Sequence, residues 1–505
     1  MRQFGKITIG IVMAALAVTL FGGCKKFLDR KPLQATIDDL QGGDLEGRVL
    51  GLYGAIRNSA VEPYAGDGFQ SIPYIAMNGF RSDDAEIVAD PGASAWRQTY
   101  DNFQYTKDDW GAGLYWSKHY AFISLANEAL DAVAQTTPTT TTQVYESEAK
   151  FFRAYAYFDL VRTFGDVPKI DFKINKASDA HIEKSNANAI WDFIESDLAF
   201  AAQNLPLSWE SSYAGRLTSG AAKTLLAKVK LYRQKWGEAL SLAKEVIASN
   251  QYELVDDYYT IFKTSGELNK ESIFEIQAAK TGGDANIYWS RWGQTQGIRG
   301  SGTWDLGWGW NTPTEALVNS YETGDERKAA TILESGKYDG GPSTGGYGLT
   351  LPDLSNAKYW NKKVYNRYED YLAAGLGTPN NEAQNTWVNQ RVLRYADVLL
   401  IAAEAANELG GANIADAIGW VNEIRERAGL GEIPSNATQV EVRTAIKKER
   451  RAEFAMETER FFDLVRWGDA QAVLGPLGYT HKHRYYPIPQ AALNDNPKLT
   501  QNPEW

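Results

Sequence analysis

The stretch from Arg391 to Trp467 constrains the fold more than any other. Its first block, RVLRYADVLLIAAEAANELG, places Val398, Ile401, Ala402, Ala405 and Leu409 at helical spacing. Ala402, Ala403, Ala405 and Ala406 are small enough to admit a second helix at close range. Gly410-Gly411 ends the block, and the pattern returns at Ile414, Ala417, Ile418, Val421 and Ile424. A third block carries Val442, Ala445 and Ile446, then Phe454, Phe461, Leu464 and Val465. Three amphipathic helices joined by short polar turns predict a stacked helical array.

The same periodicity appears elsewhere. Residues 34–59 predict a first helix with Leu45, Val49, Leu52 and Ile56 on one face, and 114–134, 146–164 and 189–205 predict three more. Residues 219–233 and 236–249 form a pair whose connection is too short for anything but antiparallel neighbours. TTPTTTT at 136–142 is read as a polar connector. The helical regions, at roughly 114–164, 189–249 and 391–467, resemble tetratricopeptide-like repeats with a period of about 34 residues. They are interrupted in sequence. The fold class expected is therefore mostly α: a helical-repeat scaffold with long irregular aromatic loop insertions and little β, the clearest strand being SIFEIQA at 272–278. The insertions, roughly 61–113 and 280–385, are the expected working surface.

Those insertions concentrate the aromatics. Trp289, Trp292, Trp304, Trp308 and Trp310 put five of the 16 tryptophans within 22 residues of glycine-rich chain, where only Ile298 and Leu306 are aliphatic. Indole faces stack on the C–H faces of sugar rings while neighbouring polar side chains meet the hydroxyls, and mixed lining of this kind is usual in small-molecule sites. The competing reading is a loop pinned down by buried tryptophans. A second cluster is NGFRSDDAEI at 78–87, followed by Trp96, Tyr100 and Asn102.

Arg2 and Lys6 precede a 15-residue run without charge, Ile7 to Phe21, which is shorter than the ~20 residues of a membrane-spanning helix. Residues 1–23 therefore read as a signal peptide, and 24–505 as a single mature unit. Cys24 is the one cysteine, so it has no internal disulfide partner, and its position directly after the signal resembles a lipobox. Phe21 departs from the leucine usual there. Lipid on Cys24 would anchor a water-soluble body to a membrane. The formal net charge is -11, and removing Arg2 and Lys6 with the signal gives -11 - 2 = -13. That balance excludes nucleic acid as a natural partner and favours a neutral ligand.

Catalytic chemistry finds little footing. Glu449, Glu453 and Glu457 lie on one helix face at i, i+4 spacing, side by side rather than across a scissile bond. The reading is a salt-linked helix with Arg450, Arg451 and Arg460 available to neutralise it. No nucleophile elbow, P-loop or dinucleotide fingerprint occurs. His481 and His483 have no third ligand nearby, so neither a metal nor a cofactor is expected.

Several of these segments carry a resemblance. CKKFLDRKP at 24–32, FFRAYAYFDLVRTFGDVP at 151–168, ERRAEFAMETERFFDLVRWG at 449–468 and the closing YYPIPQAALNDNPKLTQNPEW resemble the SusD/RagB family of Bacteroidetes surface lipoproteins, in order and over nearly the whole mature chain. The resemblance implies a non-enzymatic binding protein, lipid-anchored at the outer membrane and facing outward. It would pass an oligosaccharide or polysaccharide to a SusC-like TonB-dependent transporter. It also implies site residues: Trp96 stacking on the sugar, Arg81 beside it, and Asp83 with Tyr100 close by. The acidic pair Asp83-Asp84 is common in the family and equally open to a structural role. Two alternatives stay open, a peptide-capturing RagB-like protein and a helical glycoside hydrolase using Asp83 and Asp305.

Overall fold

The structure, a computed structural model, describes residues 44–57, 72–87, 95–278, 290–373 and 387–505. The signal segment and Cys24 lie outside them. Helix α1 spans Leu45–Arg57 and buries Val49, Leu52 and Ile56, the face expected from spacing. Two short helices, α2 (Ile72–Gly79) and α3 (Ala95–Asp101), and strand β1 (Ala85–Glu86) fall within the stretch read from sequence as loop. Five longer helices follow: α4 (Trp110–Ala134), α5 (Thr140–Phe164), α6 (Ala187–Asn204), α7 (Ser219–Tyr232) and α8 (Trp236–Ala248). The threonine run does more than connect. Thr139 caps α5 by accepting the Thr142 N–H at 3.1 Å, and the Thr142 hydroxyl returns the favour to the Thr139 N–H at 2.8 Å.

After α8 come strands β2 (Ser272–Ile276) and, far along the chain, β3 (Gln390–Arg394), which pair antiparallel from Ser272↔Arg394 to Ile276↔Gln390. This pairing clamps the base of the long insertion, so the chain returns where it left. Helices α9 (Tyr395–Leu409), α10 (Asn413–Arg427), α11 (Gln439–Glu453) and α12 (Arg460–Trp467) then complete the frame. The block read as one third helix is two, because Met456 and Thr458 take left-handed backbone (φ 64° and 69°) and turn the chain between α11 and α12. Helices interrupted in sequence are continuous in space: α4 through α8 pack each on the next, α8 packs on α9, and α9 on α10 and α11. Ala402, Ala403, Ala405 and Ala406 are fully buried at these close contacts. A smaller apolar cluster in the insertion comprises Ile298, Leu306, Leu333, Leu351, Trp360, Tyr365 and Tyr371.

Glu449, Glu453 and Glu457 are salt-linked as expected but through other partners, and they do not share one helix face: α11 ends at Glu453, and Glu457 lies in the turn after it. Glu453 accepts from Arg394 (2.9 Å), Arg427 (2.7 Å) and Arg327 (3.3 Å); Glu449 takes Arg425 and Arg327, and Glu457 takes Arg394 and Lys363. Arg450 is rotated about 100° per residue away from the face of Glu449 and Glu453. It turns inward to Asp397 of α9 and Asp463 of α12, both at 2.9 Å. Burial opposes ionisation of Glu453, but Arg427, Arg394 and Arg327 hold its carboxyl far below the usual range. Removing it would leave three buried guanidinium groups to share the remaining carboxylates, with Arg427 left on Glu271 alone. Glu453→Ala should therefore cost about 3–5 kcal/mol in urea denaturation. A loss near that of an exposed pair, about 0–1 kcal/mol, would contradict the assignment.

Candidate functional site: two aromatic loops joined by a strand pair

The two aromatic clusters stand over 200 residues apart in sequence, and a short backbone ladder joins them. Strand β1 pairs antiparallel with Thr312–Pro313, Ala85 opposite Pro313 and Glu86 opposite Thr312. The Thr314 N–H donates to the Asp84 carbonyl at 3.0 Å, and its hydroxyl to the Asp83 carbonyl at 2.7 Å. The side chains of the same two aspartates point to the frame. Asp83 takes Arg460 of α12 at 2.8 and 3.0 Å, and Asp84 takes Arg451 of α11 at 2.7 Å. Burial works against Asp83, but Arg460 and Arg451 hold it below its usual range. A carboxylate so fixed holds no proton to give as a general acid, and both its oxygens already accept from Arg460.

Arg81 and Tyr100 also serve the frame rather than a surface. Arg81 is fully buried, its guanidinium carbon 3.8 Å from the Phe461 ring centroid and 4.1 Å from that of Tyr486. Its Nε donates to the Met77 carbonyl at 2.7 Å. Beside it, burial and the charges of Lys482 and Arg81 press His483 down to about 4. Tyr100 is 1% exposed and lies 5.8 Å from Tyr105, with Gly111 packed so closely that a Cβ there would sit 2.4 Å from the Tyr100 hydroxyl. The helix carrying Trp96 begins at Ala95; the Trp96 side chain and all of Trp289 lie outside the described residues.

The tryptophan loop is pinned by its own backbone. From the short helix Trp292–Gln296, Gln294 and Thr295 accept the N–H groups of Trp308 and Trp310 at 2.8 and 3.0 Å, and Ile298 accepts that of Leu306 at 2.8 Å. Glycine is required where the strands of the loop touch: a Cβ at Gly307 would lie 2.5 Å from the Gln294 carbonyl oxygen. The described indoles divide between two supports. Trp292 and Trp310 rest on the main core, and Trp304 on the smaller cluster, parallel to Tyr365 at 6.4 Å. Trp308 and Trp310 lie 4.8 Å apart at 40°. Arg97, the neighbour of Trp96 on α3, stacks over Trp310 at 4.6 Å, and Arg291 over Trp308 at 5.4 Å. All four described indoles are half-buried, so pinning and partial exposure hold together. Arg97 and Arg291 were not singled out from sequence; adjacency to tryptophans was the one available signal.

The helical side offers a different feature. A cleft of ≈ 570 Å³, lined by Trp116, Tyr120, Ile170, Ile174, Ala492 and Leu499 among others, shares no residue with the aromatic loops. Among the described residues no group of three or more His, Cys, Asp or Glu could hold a metal ion.

Comparison with known proteins gives two family models: one described as the SusD family, matching residues 270–483, and one described as starch-binding and associating with the outer membrane, matching 72–231. The SusD-like protein P2 of Formosa agariphila is 31% identical over 452 residues, 84% of this chain and 86% of that protein. A SusD-like protein of Bacteroides ovatus is 28% identical over 391 residues, 72% and 67% of the two chains. Among solved structures, a laminarin binding SusD-like protein superposes with a TM-score of 0.76 at 26% identity, covering 91% of this chain and 99% of the other. A SusD superfamily protein from Bacteroides vulgatus gives 0.76 at 23% identity, covering 92% and 98%.

One acid at this junction has a pH signature. Burial pushes the Asp101 carboxyl up to about 7, with the charge of Glu86 adding to it. An unfolded aspartate titrates near 3.9. Between pH ~4 and ~7 the folded chain keeps a proton that the unfolded chain has released, so this group's contribution falls as pH rises through that window. Asp101→Asn should raise the melting temperature by about 1–3 °C at pH 8 and leave it unchanged at pH 4. An equal effect at both pH values would show that the carboxyl titrates normally.

Proposed function

The chain belongs to the SusD family, and from that premise we propose that its aromatic loop face captures a neutral oligosaccharide or polysaccharide at the outer membrane and hands it to a SusC-like TonB-dependent transporter. A relative at 26% identity is a laminarin binding SusD-like protein, and carbohydrate binding without catalysis is the family's coarse role. The observation that carries the reading is the ladder between residues 83–86 and 312–314. It brings the amino-terminal loop to the tryptophan loop, where the buried Arg97 guanidinium packs against the half-buried Trp310. Half-buried indoles fixed by backbone hydrogen bonds lose little freedom on meeting a sugar ring. The formal charge of -11 suits a neutral polymer. Trp96, Trp289, Trp292, Trp304, Trp308 and Trp310 are the proposed contacts; Arg81, Asp83 and Tyr100 are held in the frame. Lipid on Cys24 supplies the anchor, and the continuous helical stack supplies a broad face for the transporter.

Affinity electrophoresis of the chain from Lys25 onward, through gels containing laminarin, starch, levan, xyloglucan, mixed-linkage β-glucan, galactomannan or xylan, tests the capture. Retardation by at least one polymer is expected, with Trp308→Ala and Trp310→Ala each weakening it about 10-fold, or about 1.4 kcal/mol. Free migration of the wild type on every gel would overturn the reading and favour peptide capture. The anchor has its own test. Cys24→Ala should move the protein from the membrane fraction to the soluble fraction, and an unchanged distribution would refute lipidation there.

A further inference from the structure

A second aromatic surface lies on the smaller cluster, in the segment GGPSTGGYGLT. The Asp339 carboxylate accepts the backbone N–H groups of Gly341 (3.0 Å), Tyr347 (2.6 Å), Gly348 (3.0 Å) and Leu349 (3.2 Å). Glycines take left-handed backbone at Gly341, Gly345 and Gly348, and a Cβ at Gly346 would lie 2.4 Å from the Asp339 carbonyl oxygen. The result is a loop wound around one acid, with Tyr347 held by its backbone and bordered by residues without side chains. The Tyr347 ring meets Tyr365 edge-on at 5.2 Å and 78°, while Trp304 lies parallel to Tyr365 at 10°. Tyr347 and Trp304 are both half-buried, and Tyr338, on the same loop, is 61% exposed. Arg367, an exposed residue, borders the surface with its guanidinium 5.2 Å from the Tyr347 ring.

We propose that Tyr347 and Trp304, both seated on Tyr365, form a second stacking subsite that takes a further sugar residue of the same chain bound at Trp308 and Trp310. The inference rests on the glycan reading above and deepens it: the preferred ligand is an oligosaccharide long enough to cover both surfaces. Chain geometry requires the two to be close. Trp308 is four positions on from Trp304, which limits their Cα distance to about 14 Å. Two stacking surfaces on one polymer act through effective concentration, so a fragment that spans both gains affinity that a short one lacks. Tyr347 is fixed by its backbone and by Tyr365, Arg367 and Lys263 around its ring, so its half-buried side chain adds little ordering cost on binding.

Calorimetric titration with laminaribiose and laminarihexaose, or with the two- and six-unit fragments of whichever polymer retards the wild type, tests this. In the wild type the six-unit fragment should bind at least about 10-fold more tightly than the two-unit one. Tyr347→Ala should abolish that gain and leave the two-unit affinity unchanged, while Tyr347→Phe, which keeps the ring, should retain it. Should Tyr347→Ala not fold, Trp304→Ala should lower the six-unit affinity by a larger factor than the two-unit affinity. A length dependence identical to wild type in the folded Ala variants would overturn the subsite while leaving glycan capture intact. A wild type that binds no fragment of any length, with no polymer retarding it, would overturn both.

Discussion

The carboxylate of Glu453, shared among Arg327, Arg394 and Arg427, is the constraint on which the rest of the structure depends. Each guanidinium comes from a different part of the chain: Arg327 from the loop insertion, Arg394 from the strand that closes it, and Arg427 from α10. Glu271, on the approach to β2, takes Arg394 and Arg427 as well. A buried cluster of this kind contributes little net stability compared with apolar packing, yet it is costly to leave incomplete. It therefore selects one arrangement of insertion, strand pair and helices over others that would bury similar apolar area. The neighbouring chain of Lys228, Asp397, Arg450 and Asp463 extends the same logic through α7, α9, α11 and α12.

The frame reaches the loops through groups that act in two directions. Asp83 and Asp84 give their carbonyls to Thr314 and their carboxylates to Arg460 and Arg451. One dipeptide thus ties the tryptophan loop, the amino-terminal loop and the helical stack together. Arg81, four residues after Met77, fills the space between Phe461 and Tyr486 and fixes α2 against α12. Arg81, Asp83 and Tyr100, named from family resemblance, are packed into the frame of this chain. Asp83 has both carboxylate oxygens on Arg460, and the Arg81 guanidinium is enclosed by the Phe461 and Tyr486 rings.

Helices were legible because their signal is local. Apolar spacing of 3.6 residues, alanine-rich faces and Gly410 located α9 and α10, and the separation of helical blocks by an insertion was visible too. What spacing could not show was which groups meet. Arg450 shares a sequence run with Glu449 and Glu453 but lies on another helix face, so the partners of those acids had to come from Arg327, Arg394, Arg425 and Arg427. The break at Met456 and Thr458 escaped because non-glycine residues with positive φ carry no sequence mark. Thr139 and Thr142 read as a connector, although a threonine pair three apart before a helix is a capping pattern. The aromatic loops stood out by composition alone; that β1 joins them depends on a two-residue ladder too short to announce itself.

The most direct test of the account is a crystal structure of the mature protein with an oligosaccharide of a polymer that it binds. The account predicts sugar density running across the face where Arg97 meets Trp310, past Trp308 and toward Trp304 and Tyr347. It also predicts Arg81, Asp83 and Tyr100 unmoved. Density confined to the cleft between Trp116 and Leu499, with the tryptophan loop bare, would contradict it.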